Sequence, residues 1–446
     1  MYNVSAAYLE AINAPSREVR ARAVIHFDTP LEVNDEIIID FDLLEEAQAA
    51  SIGPLGVVSA NELTLTLDNS ERKFTPNNEE SEYYGEMKPG VKIELFTQLV
   101  LPDESVEEVP MGTYFIVDWR SPSGSLQATI TALDRVHKIG ERPLPQIPTL
   151  LNTTIGEMFE RLFKAVGLSE EEYIIDSALN IPIKIGWYRK GRVKDALQGL
   201  CEAGVCSIVC DRQNRFLVKS FYESSASVAT LADDTQIFES ENPLMFTKTY
   251  DGVRMRFNTP TITRKEILLD IRDLEIPSGE TLIEDIEFSS GPAAMLTSVK
   301  LLETNNSTIS KITTGTWGCS IEVNNTSGPE TGRLVVEGFL IDSAFSNLIQ
   351  ELDDDKFYIE VQNDLIQHKP AAIQYHELLN TLLEEPALFI EVSFRGNPAV
   401  ELMDTITINN NANKLDGVEA LPIQMRFSYD GALSCTGEFL KAGVAE

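Results

Sequence analysis

Leu63-Thr64-Leu65-Thr66-Leu67 sets the reading of this chain: leucine holds one face of a period-two pattern and threonine the other, as in a half-buried strand. Val91, Ile93 and Leu95 repeat the pattern after the turn Lys88-Pro89-Gly90. Tyr114 to Trp119 and Leu126 to Leu133 extend it on either side of Ser121-Pro122-Ser123-Gly124. Many short strands with turns between them, and no long amphipathic helix, predict an all-β, barrel-like domain over residues 1–140.

Glu141-Arg142-Pro143-Leu144-Pro145-Gln146-Ile147-Pro148 packs three prolines into a short stretch, so 141–149 reads as a linker. The period then turns helical. Ile155, Met158, Phe159, Leu162, Phe163 and Val166 make one apolar stripe, opened by a Thr154/Glu157 capping box and closed near Gly167. A second helix carries Val193, Ala196, Leu197 and Leu200, with Gly204 as its expected stop. Val205 to Cys210 and Arg215 to Phe221 then flank the turn-rich tetrad Asp211-Arg212-Gln213-Asn214 and predict a hairpin. Residues 150–242 are therefore expected to form a small α+β domain.

Asp251-Gly252 leads into a strand from Val253 to Phe257, opening a second β-rich domain over 243–446. It includes a Thr-, Ser- and Asn-rich β insertion at about 259–360, with Ile267 to Ile271 as one strand. A helix at about 370–384 starts at Pro370, runs through Tyr375, Leu378, Leu379, Leu382 and Leu383, and stops at Pro386. Phe389 to Phe394 alternates again and puts Ile390, Val392 and Phe394 on the core side, with Glu391, Ser393 and Arg395 opposite. The fold class expected is a multi-domain, β-rich α+β protein, with two β-barrel-like domains and a small α+β domain between them.

The 446 residues carry 36 Lys+Arg against 70 Asp+Glu, a formal charge of −34, which disfavours a duplex-DNA reader with a basic face. Five dilute cysteines, three of them clustered at Cys201, Cys206 and Cys210, argue against a disulfide framework and for free thiols. The N-terminus does not read as a signal peptide and no long apolar run appears, so no stable membrane insertion is expected.

Four histidines (His26, His137, His368, His376) leave few places for imidazole chemistry. His376-Glu377-Leu378-Leu379-Asn380 begins like a zincin motif but has Asn380 where the second ligand belongs, so His376 is expected on a helix surface or interface. The three clustered cysteines lack Cys-x-x-Cys spacing and read as buried small side chains. Asp353-Asp354-Asp355 lacks the glycine and glutamate of an EF-hand, and Asn409-Asn410-Asn411-Ala412-Asn413 reads as a polar loop. No Gly-x-Ser-x-Gly elbow or Walker A loop is present. No catalytic, cofactor-binding or metal-binding residue is assigned, and no cofactor is expected.

A family resemblance rests on particular residues. Ala14-Pro15-Ser16-Arg17 before the strand from Val19, Gly56 to Leu63, Leu67-Asp68-Asn69, Phe74-Thr75-Pro76, Tyr83-Tyr84-Gly85 and Pro89-Gly90-Val91 resemble the start of tail proteins of long-tailed bacteriophages. Leu200 to Gly204 with the following strand, Asp211 and strand resemble the middle domain of those proteins. Phe389 to Val392, Gly396 to Ala399 and Glu401-Leu402 with Asp404 resemble the closing β domain of the baseplate hub, or tail-associated (distal tail hub) protein.

The resemblance implies a ring-forming homotrimer in which each subunit contributes two tube-like β-barrel domains, so that three copies imitate sixfold symmetry. It implies a place in the virion at the tail tip, after assembly in the host cytoplasm. The expected partners are the tail tube or distal tail ring protein, the tape-measure protein, and tip, spike or fibre proteins. DNA would pass through during genome ejection without specific binding, repelled by acidic walls. The chain ends at Glu446 soon after the closing domain, so no wall-degrading activity is expected. Alternatives are a hexameric distal tail ring protein, a carbohydrate-binding tail-tip module presenting Trp119, Trp187 and Trp317, or an acidic glycoside hydrolase.

Overall fold

The computed structural model describes residues 1–47, 58–221, 226–232, 236–241, 251–348, 357–384 and 389–442. The chain opens with α1 (Ala6–Asn13), β1 (Glu18–Ile25), β2 (Leu31–Asn34), β3 (Ile38–Glu46), β4 (Glu62–Asp68), β5 (Lys92–Val100), β6 (Val106–Arg120), β7 (Gln127–Asp134) and α2 (Arg135–Gly140). Leu63, Leu65 and Leu67 of β4 are fully buried, as the alternation predicts. The all-β expectation for this region needs correcting, because α1 and α2 belong to it. Each is too short to repeat an apolar stripe, and each is marked only by its cap. Ser5 accepts the Tyr8 N–H at 3.0 Å, and Asp134 accepts the Val136 N–H at 2.9 Å.

Asp134 is buried, and burial raises its carboxyl to about 7 against the pull of the Asn61, His137 and Val136 amides. The folded pKa thus lies above the unfolded value of about 3.9, so the folded state holds the proton more tightly. This term is most favourable below pH 4, weakens as pH rises toward 7 and is flat above. Asn caps a helix as well as Asp does. Asp134→Asn should therefore be more stable than the parent at pH 8 by roughly 2–3 kcal/mol in urea denaturation, with the gap narrowing at pH 5.

The middle of the chain contains β8 (Leu150–Thr154), α3 (Ile155–Ala165), β9 (Tyr173–Ile175), β10 (Pro182–Gly186), α4 (Val193–Gly204), β11 (Cys206–Cys210) and β12 (Phe216–Ser220). The Thr154/Glu157 capping box forms, and Ile155, Met158, Phe159, Leu162 and Phe163 are buried. β11 and β12 make the antiparallel hairpin, and Phe216 stacks on Phe163 at 5.6 Å between ring centroids. Gly204 plays a different part from the one its position suggests. It is the last helical residue, and the left-handed conformation falls on Val205 at φ 49°. A Cβ on Gly204 would sit about 3.1 Å from Ile155 and Leu179 side-chain carbons, so close packing of α4 on α3 calls for the glycine.

The remainder comprises β13 (Ala229–Ala232), β14 (Ile237–Glu241), β15 (Gly252–Asn258), β16 (Thr261–Ile276), β17 (Gly279–Glu287), β18 (Ala293–Leu302), β19 (Ser307–Thr314), β20 (Gly318–Asn325), β21 (Glu330–Asp342), β22 (Phe345–Asn347), β23 (Tyr358–Gln362), α5 (Lys369–Glu384), β24 (Phe389–Phe394), β25 (Ile406–Asn410), β26 (Leu415–Tyr429) and β27 (Leu433–Lys441). The segment from β16 to β21 is more regular than its polar composition suggests. It forms two three-stranded sheets, β16-β21-β18 and β17-β20-β19, around a separate core that includes Leu268, Ile321, Val323, Leu334 and Val336. Pro386 and Asp353-Asp354-Asp355 lie outside the described residues.

The strands from the two ends of the chain meet in one 13-stranded sheet, ordered β14-β24-β27-β26-β3-β4-β7-β6-β5-β1-β2, with β25 on β26 and β13 on β25. The junction is β26 against β3, antiparallel from Gln424↔Glu46 to Tyr429↔Phe41. A boundary at 242 would leave β13 and β14 with the middle domain. They instead pair with β25 and β24, long-range partners that a local pattern does not specify. The core side of the sheet buries Ile390, Val392, Phe394, Met425, Phe427, Phe41 and Leu43 in one cluster with the middle helices.

Candidate functional site

Because side chains alternate across a strand, register alone assigns the face of this sheet turned from the core. Glu391 lies opposite Glu438, Glu438 opposite Gln424, and Gln424 opposite Glu46, so one transverse row crosses β24, β27, β26 and β3 with three carboxylates and an amide. A second row runs Ser434, Ser428, Asp42, Thr64, Thr131 and Asp118 across β27, β26, β3, β4, β7 and β6. Gln424 donates to Glu46 at 2.5 Å, and Arg426 and Ser428 donate to Asp42 at 2.8 and 3.0 Å. Burial, then Glu391 and Glu46, raises the Glu438 carboxyl above the usual range. The result is a hydroxyl- and carboxylate-rich surface that spans both ends of the chain.

The sheet path ends on β2 at one side and β14 at the other, and among the described residues neither has a second neighbour. Phe238 on β14 is 66% exposed. On β14 the Asn413 amide already donates to the Ser240 carbonyl at 2.5 Å, and the edge beside the exposed Phe238 ring is equipped to pair with another chain.

A buried ion pair holds the three parts of the chain in register. The Arg212 side chain, at the tip of the β11–β12 hairpin, is 4% exposed and meets Glu45 of β3, 3% exposed, through both terminal nitrogens. Its remaining N–H groups reach the carbonyls of Pro398 at 3.1 Å and of Met111 and Val400 at 3.3 Å, while its backbone N–H donates to Glu401 at 2.8 Å. Burial raises the Glu45 carboxyl and Arg212 draws it down. Burial opposes the Arg212 charge, but Glu45 outweighs it and the guanidinium stays protonated. Every donor is satisfied, which a charge removed from water requires. Glu45 follows Phe41 and Leu43 on the buried parity of β3, a charged residue at a core position that the alternation could have flagged.

The other residues singled out in the sequence take structural places. His376 is buried rather than on a helix surface, with Nε2 3.1 Å from the Val253 carbonyl and Asn380 one turn along. It packs α5 onto β15. All five cysteines are free thiols, and burial pushes Cys206 well above the ordinary thiol range. Asn409 and Asn410 end β25 and accept the Gly417 and Asn413 N–H groups, so only the rest of that run is loop. Trp187 is buried, Trp119 donates to the Phe74 carbonyl at 3.0 Å, and Trp317 donates to the Tyr188 carbonyl at 2.8 Å. These rings serve packing. Among the described residues no group of three or more His, Cys, Asp or Glu is placed to hold a metal, and no helix is long and apolar enough to cross a membrane.

No family model matches the chain, and no curated protein matches it in sequence. Among the solved structures that align along almost its whole length are two bacterial tail proteins. The 43 kDa tail protein of prophage MuSo2 from Shewanella oneidensis is 8% identical, with 96% of this chain and 99% of that chain covered at a TM-score of 0.50. The tail protein from Neisseria meningitidis MC58 is 9% identical, with 96% and 98% covered at a TM-score of 0.51. The chain shares with these tail proteins a multi-domain, β-rich fold.

Proposed function

We propose that this chain is a structural component of a phage tail tip, a trimeric baseplate hub that joins the tail tube to the distal tip and forms an acidic conduit for DNA. The observation that carries the reading is the unbroken sheet: strands from both ends of the chain share one polar face, and the main strand path runs between two edge strands, β14 and β2. Head-to-tail pairing of β14 with β2 of the next copy closes a ring when the rotation per subunit is a simple fraction of a turn. With two lobes on each chain, three copies supply six lobes to a sixfold tube. The rows through Glu391, Glu438 and Glu46 and through Asp42 and Asp118 then line the wall, where carboxylates repel a duplex bearing about one charge per 1.7 Å. Tail-tube, distal-ring, tape-measure and tip proteins are the partners this role implies, and the mechanism is geometric rather than catalytic.

Native mass measurement tests the stoichiometry. A particle of three copies that leaves duplex DNA unretarded at about 150 mM salt is expected. A six-copy particle would transfer the assignment to a distal tail ring, and tight DNA retention would remove the conduit.

A further inference from the structure

A second surface lies on the same outward face of the sheet, at its β5–β6 end, and differs from the acidic rows in its charge. Outward-facing residues of β5 and β6 form the floor of a cleft of about 600 Å³, roofed by α2, by the turn after α3 and by the β11–β12 hairpin tip. That volume is in the range that holds a small ligand or a few peptide residues. The floor is aromatic, with Phe96 and Phe115 among its lining, and Leu168 and Ile139 close the sides.

The charges in this cleft do not cancel. Glu94 is held by Lys92 at 2.9 Å and by His26 at 2.6 Å, Glu172 is held by Arg135, and Arg212 is held by Glu45. That leaves Lys138 and Arg142. Both are exposed, and among the described residues neither reaches a carboxylate at ion-pair distance. Lys138 sits 3.6 Å above the centre of the Phe115 ring, and Arg142 makes one long bond, 3.4 Å, to the Val166 carbonyl. Burial, and then the positive charges of Arg142 and Arg135, lower the Lys138 ammonium pKa. In a chain with 70 acidic and 36 basic residues, two neighbouring cations over an aromatic floor stand without acidic partners.

We propose that this cleft docks an acidic segment of a partner protein, one in which carboxylates alternate with apolar side chains. The carboxylates would meet Lys138 and Arg142, and the apolar residues would lie against Leu168 and beside the Phe115 and Phe96 rings, which carry Lys138 and Arg22 over one face each. A phosphate polymer is a poorer match. Its charge is dense, and it would run against Glu94 and Glu172 in the same walls without using the aromatic floor.

Fluorescence anisotropy of the full chain with a labelled Glu-Leu-Glu-Phe-Glu-Leu peptide tests this. The acidic peptide should bind at least about tenfold more tightly than the Gln-for-Glu version, and more weakly as salt rises. Lys138→Glu with Arg142→Glu should abolish binding. Lys138→Met with Arg142→Gln keeps both aliphatic stems and should still lose about tenfold, a check that folding is not the cause. Equal binding of the two peptides, or undiminished binding by the double variants, overturns the proposal. So does tripolyphosphate displacing the probe at lower concentration than unlabelled acidic peptide, which would make the cleft a phosphate site.

Discussion

Arg212→Met is expected to destabilise the protein by about 3–5 kcal/mol in urea denaturation, because it leaves Glu45 as an uncompensated buried charge. It also strips partners from the carbonyls of Pro398 and Val400 in one segment and of Met111 in another, which the guanidinium joins to Glu45 in a third. The double variant Arg212→Met/Glu45→Leu should recover part of that loss, since no lone charge remains and β3 already presents Glu45 on its apolar side. A single variant as stable as the parent would show that the pair does not hold the three segments together. A double variant as unstable as Arg212→Met alone would show that the pair contributes more than the cancellation of its own burial cost.

Val392→Asp should cost about 4 kcal/mol or more and abolish assembly, whereas Ser393→Asp should fold. Val392 is fully buried in β24 between Gly437 and Ser240. A carboxylate there has no donor within the apolar cluster. Ser393 lies on the polar face, 3.3 Å from the Thr436 hydroxyl, where an added carboxylate joins others. Soluble yield and melting temperature of the two variants give the comparison, and equal tolerance would refute the strand register.

Strands whose two faces differ were legible in isolation. Leu63, Leu65 and Leu67, and later Ile390, Val392 and Phe394, announce their buried side because solvent and core demand different residues on alternate positions. The helix from Ile155 was equally plain, since a capping box precedes a long apolar stripe. Pairing between distant strands was not legible. Nothing local in Ala229–Ala232 specifies β25, or in Ile237–Glu241 specifies β24, so a boundary at 242 separates these strands from the partners they pair with. The polar face escaped for the same reason: Glu391, Glu438, Gln424 and Glu46 become a row only when four strands align. Arg212 sits in a tetrad that reads as an exposed turn, and its burial depends on Glu45 arriving from 167 residues away.

Electron cryomicroscopy of the protein in its assembled particle tests the hub assignment most directly. The expected map shows a ring of three chains, with β14 of each copy pairing β2 of the next and the carboxylate rows facing the lumen. A ring of six chains, or a ring with those rows turned outward, would contradict it.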